Sequence, residues 1–277
     1  MFTIINTDHE KELERIVEKI NHSPIQESAK KLTALIYRIR EDIPIKKRIS
    51  YGKYTIIKKM GFIIYPLLQQ YKINPYAFST KVVENKDFDQ FLRSLGIQII
   101  SIYGKETGEL KRILPIFEKA AADDYWELRE CSAGFIRKLI KTYPNEMKKW
   151  YKKIVKSNDP RLRRFASESI RPVADNKWFK KRPDFCFSIL KNLYHESHNY
   201  ARTSVGNNLS DWSKIEKERV FKIIEQLVKE NDKNSYWIAY RACRNLIKTE
   251  PNRVLDLLGI DEYKYKKNIY HRKKLSK

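Results

Sequence analysis

The sequence predicts an all-α chain of stacked helical pairs, and three observations carry that prediction. A helix-opening pattern appears four times: Asp-Tyr-Trp-Glu-Leu-Arg-Glu (124–130), Asn-Asp-Pro-Arg-Leu-Arg-Arg (158–164), His-Asn-Tyr-Ala-Arg-Thr (198–203) and Asn-Ser-Tyr-Trp-Ile-Ala-Tyr (234–240). Taking Leu128, Leu162, Ala201 and Ile238 as equivalent, the spacings are 34, 39 and 37 residues. That period, with two helical segments per unit, is the mark of a HEAT- or armadillo-type solenoid. Second, 277 residues carry only eight glycines and ten prolines, and β-like runs such as Thr55-Ile56-Ile57 sit inside helical periodicity. Third, 42% of residues are hydrophobic, enough for a continuous core between stacked helices.

Residues 8–22 and 25–41 read as amphipathic helices. In the second, Ala29, Leu32, Leu35, Ile36 and Ile39 form one apolar face. Ile43-Pro44 ends it, because a residue before proline is pushed out of the α region. Further helices are expected near 46–60, 62–71, 87–103 and 108–122, with Asn74-Pro75 and 104–108 as turns. From 124 the first helices of each repeat run near 125–142, 160–173, 198–213 and 234–248. Their partners run near 144–156, 183–194, 215–230 and 251–258. Pro144, Pro183 and Pro251 open three partners, where the missing N–H costs nothing. The organisation expected is one solenoid domain over 1–277: less regular helices to 107, repeats over 108–258, and a basic tail at 261–277.

The formal charge is +23 and the pI about 9.7. Charge of one sign on that scale repels itself, so an anionic partner is its natural offset, with nucleic acid the first candidate. Basic residues that merely solvate helix faces are the competing reading. No apolar run is long enough to span a bilayer, and the N-terminus lacks the basic and apolar regions of a signal peptide. Cys131, Cys186 and Cys243 are widely spaced without a Cys-x-x-Cys, which suits reduced thiols in a cytoplasmic protein. Cys131 and Cys243 fall among apolar neighbours and read as core fillers. No metal-ligand set, Walker loop or dinucleotide fingerprint is present, so neither metal nor cofactor is expected.

Arg129, Arg163 and Arg202 follow the reference apolar position in three successive repeats. Stacking puts them in a row about 10 Å apart, a ladder suited to a phosphate backbone. Alternatively, they pair with acids and tie repeats together. Glu130, Glu168 and Asp211 are the odd feature among so many cations. A carboxylate facing phosphates costs repulsion, and stabilising a cationic transition state is one reason to bear that cost. Each acid could instead be the partner of a neighbouring arginine. Trp126 stands four residues before Glu130, on the same helix face, where an aromatic ring can hold a cation. Trp178 and Trp212 are further candidates, whereas Trp150 looks like packing. His195 and His198 bracket Glu196 but lack further ligands.

With these residues in hand, the chain resembles the alkylpurine DNA glycosylases built from HEAT-like repeats, the AlkC/AlkD superfamily, and the AlkC branch more closely. The motifs are Trp126-Glu-Leu-Arg-Glu130, then Leu162-Arg-Arg-Phe-Ala-Ser-Glu168-Ser-Ile-Arg-Pro172, then Ala201-Arg-Thr-Ser-Val-Gly-Asn207-Asn-Leu-Ser-Asp211. The resemblance implies a right-handed, C-shaped solenoid whose basic concave face grips duplex DNA, and a solenoid of this charge is expected to be a monomer. It implies removal of cationic bases of the 3-methyladenine or 7-methylguanine class, without a cofactor. Glu130, Glu168 and Asp211 then stand as catalytic acids, and Trp126, Trp178 and Asn207 lie at the lesion or sugar. Arg129, Arg163, Arg164, Arg171 and Arg202 hold the DNA backbone. The chain departs from AlkD-like members at Asn207, where they carry a second tryptophan, and Gly206 replaces the usual alanine. The alternatives are a non-catalytic binder of bent or branched DNA and a protein-interaction solenoid.

Overall fold

Capping residues and prolines mark where most helices begin. The computed structural model describes residues 3–48, 52–173 and 176–264, and among these no strand occurs. The chain divides into two compact units, 1–144 and 145–277. In the first unit, Asn6 caps α1 (Thr7–Glu18) and α2 spans Ile25–Asp42. The structure joins the two helices expected at 46–60 and 62–71 into one, α3 (Lys53–Gln70), with Pro66 inside it. It also turns Asn74-Pro75 from a turn into a helix start. The Asn74 side chain accepts from Ala77 N–H at 3.0 Å and opens α4 (Pro75–Glu84), a cap followed by proline at the first helical position. Asp89 caps α5 (Gln90–Thr107), which ends on left-handed Gly108. Helices α6 (Leu110–Ala121) and α7 (Trp126–Ile136) follow.

Helix α8 (Pro144–Ile154), all but its first residue in the second unit, leads to α9 (Pro160–Ser169), then a short α10 (Lys177–Lys180) and α11 (Pro183–Leu190). The second unit continues through α12 (Asn199–Trp212), α13 (Lys217–Lys229), α14 (Lys233–Leu246) and α15 (Pro251–Leu258). The first helices of the repeats stack side by side: α3, α5 and α7 in one unit, α9, α12 and α14 in the other. Their partners form a second layer, with α4 and α6 on α5 and α13 under α14. Trp150, Tyr151 and Phe179 are buried between the layers of the second unit, and the three cysteines are buried thiols. No helix among the described residues is long and apolar enough to cross a membrane. The basic tail from 265 onward lies outside the described residues. Residues 261–264, where the expected tail begins, are described, and Tyr263 stacks on Tyr240 at 4.5 Å.

Buried polar groups fix the register of the inner row. Ser204 donates to Ser167 Oγ at 3.0 Å, Asn208 to the Ser167 carbonyl at 2.7 Å, and Asn245 to the Ser210 carbonyl at 2.7 Å. Donors that have left water must find acceptors, so sliding α12 against α9 or α14 would orphan them.

Arginines supply a second tie between repeats. Arg93 on α5 forks onto Asp123, just before α7, at 3.2 and 2.6 Å. Arg163 on α9 forks onto Glu196, just before α12, at 2.6 and 2.8 Å. Arg202 on α12 reaches Asn234 at the start of α14. Each acid also accepts a backbone N–H of the helix it precedes, from Tyr125 at 3.1 Å and His198 at 2.9 Å. Burial alone would raise the Asp123 and Glu196 carboxyls, but the arginine and N–H donors hold both below the usual range. A depressed carboxyl stabilises the fold above its unfolded pKa, near 4, and that stability is lost as pH falls through the lower folded value. Glu196→Gln should therefore flatten the fall in melting temperature below about pH 4. An acid limb as steep as the wild type's would remove Glu196 from this role.

Candidate active site

The acids of the second unit are held by one guanidinium. Arg171, just past the end of α9, donates from Nη1 to Glu168 Oε2 at 2.9 Å. It donates from Nε and Nη2 to Asp211 Oδ2 on α12, at 2.9 and 2.5 Å. One oxygen of each carboxylate is thereby engaged. The other oxygens are not. Glu168 Oε1 is buried without a hydrogen bond and faces Arg164 at 3.3 Å. Asp211 Oδ1 lies 3.7 Å from Arg244 and 4.0 Å from Lys214, ion-pair distances longer than a hydrogen bond. The Glu168 side chain is 5% exposed and that of Asp211 15%, so Asp211 is the more accessible of the two acids. Burial works against the charge on Arg171, yet the two carboxylates outweigh it and hold the guanidinium above its ordinary pKa.

Asn207 belongs to the same surface through α14. Its Oδ1 accepts from Arg241 Nε at 2.9 Å and Arg244 Nη1 at 3.4 Å. Aromatic rings carry the remaining arginines: Arg164 lies 4.3 Å from the Tyr200 ring, with Arg202 and Arg241 4.7 and 5.5 Å from Trp237. Such stacking favours arginine over lysine. The reading of the sequence missed Tyr200, Trp237, Arg241 and Arg244. The repeat register held the signal: Tyr200 and Trp237 both precede the reference apolar position, and Arg244 is the counterpart of Glu168 and Asn207.

Gly206 is no mild replacement. A Cβ there would meet Arg241 Cβ at 2.8 Å and its Cγ at 3.0 Å, so glycine lets the Arg241 stem lie against α12. Gly206→Ala should push Arg241 off Asn207 and lower stability by about 1–3 kcal/mol, the usual range for overpacking. A crystal structure of the variant with the Arg241–Asn207 bond intact would contradict this account.

Several expected site residues do other work. Arg163 and Arg202 tie repeats, as described, and this alternative reading is the one their partners support. Arg163 Nη1 also reaches the carbonyls of Ser157 and Asn158, both at 2.9 Å. Arg129 makes the matching clamp in the first unit, on the carbonyls of Asp123 and Asp124 at 2.6 and 2.8 Å. These arginines fasten the loop before their own helix rather than standing out as a ladder. Trp178 packs in an aromatic cluster with Phe179 and Phe185, its ring 4.3 Å from the Arg182 guanidinium. Trp212 is fully buried against Phe187. Trp212 is core, whereas Trp178 is half-buried at the edge of its cluster. In the first unit, Trp126 opens α7 and is 61% exposed, with half-buried Glu130 one turn later.

The DNA alkylation repair enzyme family matches residues 124–246, the stretch from α7 to the end of α14. Three solved structures share the fold. AlkC from Pseudomonas fluorescens, an alkylpurine DNA glycosylase bound to DNA containing an abasic site analog, has a TM-score of 0.57 at 19% identity. That match covers 93% of this chain and 68% of that one. The smu.31 protein of Streptococcus mutans UA159 has a TM-score of 0.55 at 20% identity over 76% and 96% of the two chains. AlkD2 from Streptococcus mutans has 0.51 at 20% identity over 83% and 99%. No curated protein matches the chain.

Proposed function

We propose that this chain, whose residues 124–246 match the DNA alkylation repair enzyme family, is a DNA glycosylase. Its substrates are cationic alkylated bases in duplex DNA, whose N-glycosidic bond it hydrolyses. The observation that carries this reading is the pair of carboxylates clamped by Arg171, with Glu168 Oε1 making no hydrogen bond among the described residues and Asp211 Oδ1 held only at ion-pair distances. A base alkylated to a cation leaves with the bonding electrons as a neutral molecule, so no acid need protonate it. The sugar left behind carries positive charge at C1′ and its ring oxygen. A fixed anion lowers the energy of that state, and Asp211 Oδ1 can orient the water that adds to C1′ and take up its proton. The AlkC structure, holding an abasic site analog, is consistent with such chemistry, since an abasic site is what base removal leaves.

Arginine partners decide how much of this negative charge is available. In the protein alone Arg171 offsets one of the two negative charges, and Arg164, Arg244 and Lys214 stand at ion-pair distance from the remaining oxygens. DNA phosphates that draw on Arg171, Arg244 and Lys214 would return charge to Asp211 at the moment a cationic base is present. Arg164 and Arg241, on their aromatic rings, complete the basic surface. Trp126 in the first unit offers an exposed ring for stacking on DNA.

Incubation with methylated duplex DNA should release 3-methyladenine or 7-methylguanine above the no-enzyme rate, without added cofactor. Release indistinguishable from the blank would exclude the enzyme. Binding should also weaken steeply with salt as counterions re-form on the phosphates, and Arg241→Ala should reduce the log–log slope by about 1. A second reading, a non-catalytic binder of bent or branched DNA, is favoured by the burial of Glu168 at 4% exposure. High affinity for branched DNA with no base release would select it.

A further inference from the structure

Outside the carboxylate site, the first unit holds a cavity of about 430 Å³ between α3, α5 and the turn after α7. That volume lies within the range of about 300–1,000 Å³ usual for small-molecule sites. Its chemistry is uneven. One wall is aromatic: Phe62 on α3 is 54% exposed although it lies on a helix whose other large apolar residues are mostly buried. The opposite rim is cationic, with Lys105 on α5 and Lys138 and Lys141 after α7. Glu106 is the lining acid, and burial together with this neighbouring carboxylate pushes the Tyr65 hydroxyl up.

Gln98 forms the floor. It is fully buried, and its Nε2 has no acceptor among the described residues. A buried amide N–H left unmade is costly and rare. Gly61 makes room for this arrangement, since a Cβ there would meet Gln98 Cγ at 2.3 Å. Lys138 crosses the mouth. Its Nζ donates to Gln98 Oε1 at 3.4 Å and lies 5.6 Å from the Phe62 ring centre. An anion that draws this ammonium outward therefore uncovers the Gln98 amide and the ring together. Ser101, beside it, donates to the Phe135 carbonyl at 3.0 Å, so its hydroxyl oxygen can still accept.

We propose that this cavity binds a phosphorylated nucleotide, the base lying on Phe62 with its edge read by the Gln98 amide and the phosphate held by Lys105, Lys138 and Lys141. An aromatic face, an unmade amide donor and a lysine rim are the three elements such a ligand needs. Neither a purely apolar ligand nor a bare anion would use all three. The same chemistry can arrive as a free mononucleotide or as one nucleotide of a strand.

The test is calorimetric titration of the full chain with adenosine 5′-monophosphate, with ribose 5-phosphate and inorganic phosphate as controls. Saturable binding of the mononucleotide, at least tenfold tighter than either control, is expected. Phe62→Ala, an exposed position, should weaken it at least fivefold. Gln98→Leu should weaken it similarly while leaving the melting temperature equal or higher, because it deletes an unsatisfied donor. A mononucleotide that does not saturate, or variants that bind it like the wild type, would overturn the proposal. Displacement of the mononucleotide by a single-stranded oligonucleotide assigns the site to a strand, and persistence of binding assigns it to the free ligand. None of these readouts depends on base release, so the glycosylase reading stands or falls separately.

Discussion

Glu168→Gln is expected to lower single-turnover release of a cationic base by about 10²–10³-fold, the loss typical of removing one preorganised electrostatic contact from a reacting centre. Duplex affinity should stay equal or rise, because a negative charge has been removed from a basic surface. The amide keeps the shape of the side chain, and its oxygen can still accept from Arg171. What disappears is the charge, and with it the pull on a cationic sugar. Asp211→Asn should lose at least as much, since the Asp211 side chain is the better exposed of the two. The melting temperature separates this from a merely structural role. If either amide variant keeps the wild-type rate on a single bound substrate, that acid has no part in the chemistry. If both unfold at assay temperature, release by Glu130→Gln, made in the other unit, still reports whether an acid there matters.

Much of the fold was legible because period and punctuation agreed. The 34–39-residue spacing placed α7, α9, α12 and α14 within a few residues of their observed starts, and Pro144, Pro183 and Pro251 fixed three partner helices. The errors came where one residue type serves two purposes. Asn-Pro can make a turn or cap a helix, and at Asn74-Pro75 it caps one. Glycine breaks helices in water but permits close packing in a core, and at Gly61 the packing against Gln98 prevailed. At the site, the acids were legible because they stand out in a basic chain. The arginines were not, because sequence order does not say where a guanidinium finds its acceptors. Arg163 and Arg202 share a register with Arg129, yet their forks are filled by Glu196 and Asn234. Arg171, read as one backbone contact among five, turns out to be the group on which both acids depend.

That dependence makes Arg171→Leu the most destructive single change expected for stability. Glu168 and Asp211 would lose the cation they share while remaining largely out of water, and breaking such a pair by removing one partner costs about 3–5 kcal/mol. Arg171→Lys should recover only part, since one ammonium cannot reach two carboxylates with the planar fork of a guanidinium. The cost should also depend on pH in a direction opposite to that of the interrepeat acids. Without Arg171 the buried carboxyls bind protons more tightly folded than unfolded, so the variant gains relative stability as pH falls from 8 toward 5. Neutralising the acids should rescue it. The triple variant Glu168→Gln, Arg171→Leu, Asp211→Asn is expected to be more stable than Arg171→Leu alone, the non-additivity expected of residues in one salt-bridge network. Denaturant unfolding of the single, double and triple variants at pH 8 and pH 5 measures every term. Additive losses with no pH dependence would mean that Arg171 packs against these acids without carrying their charge. A glycosylase that keeps its anions neutralised until DNA competes for Arg171 would then have no structural basis.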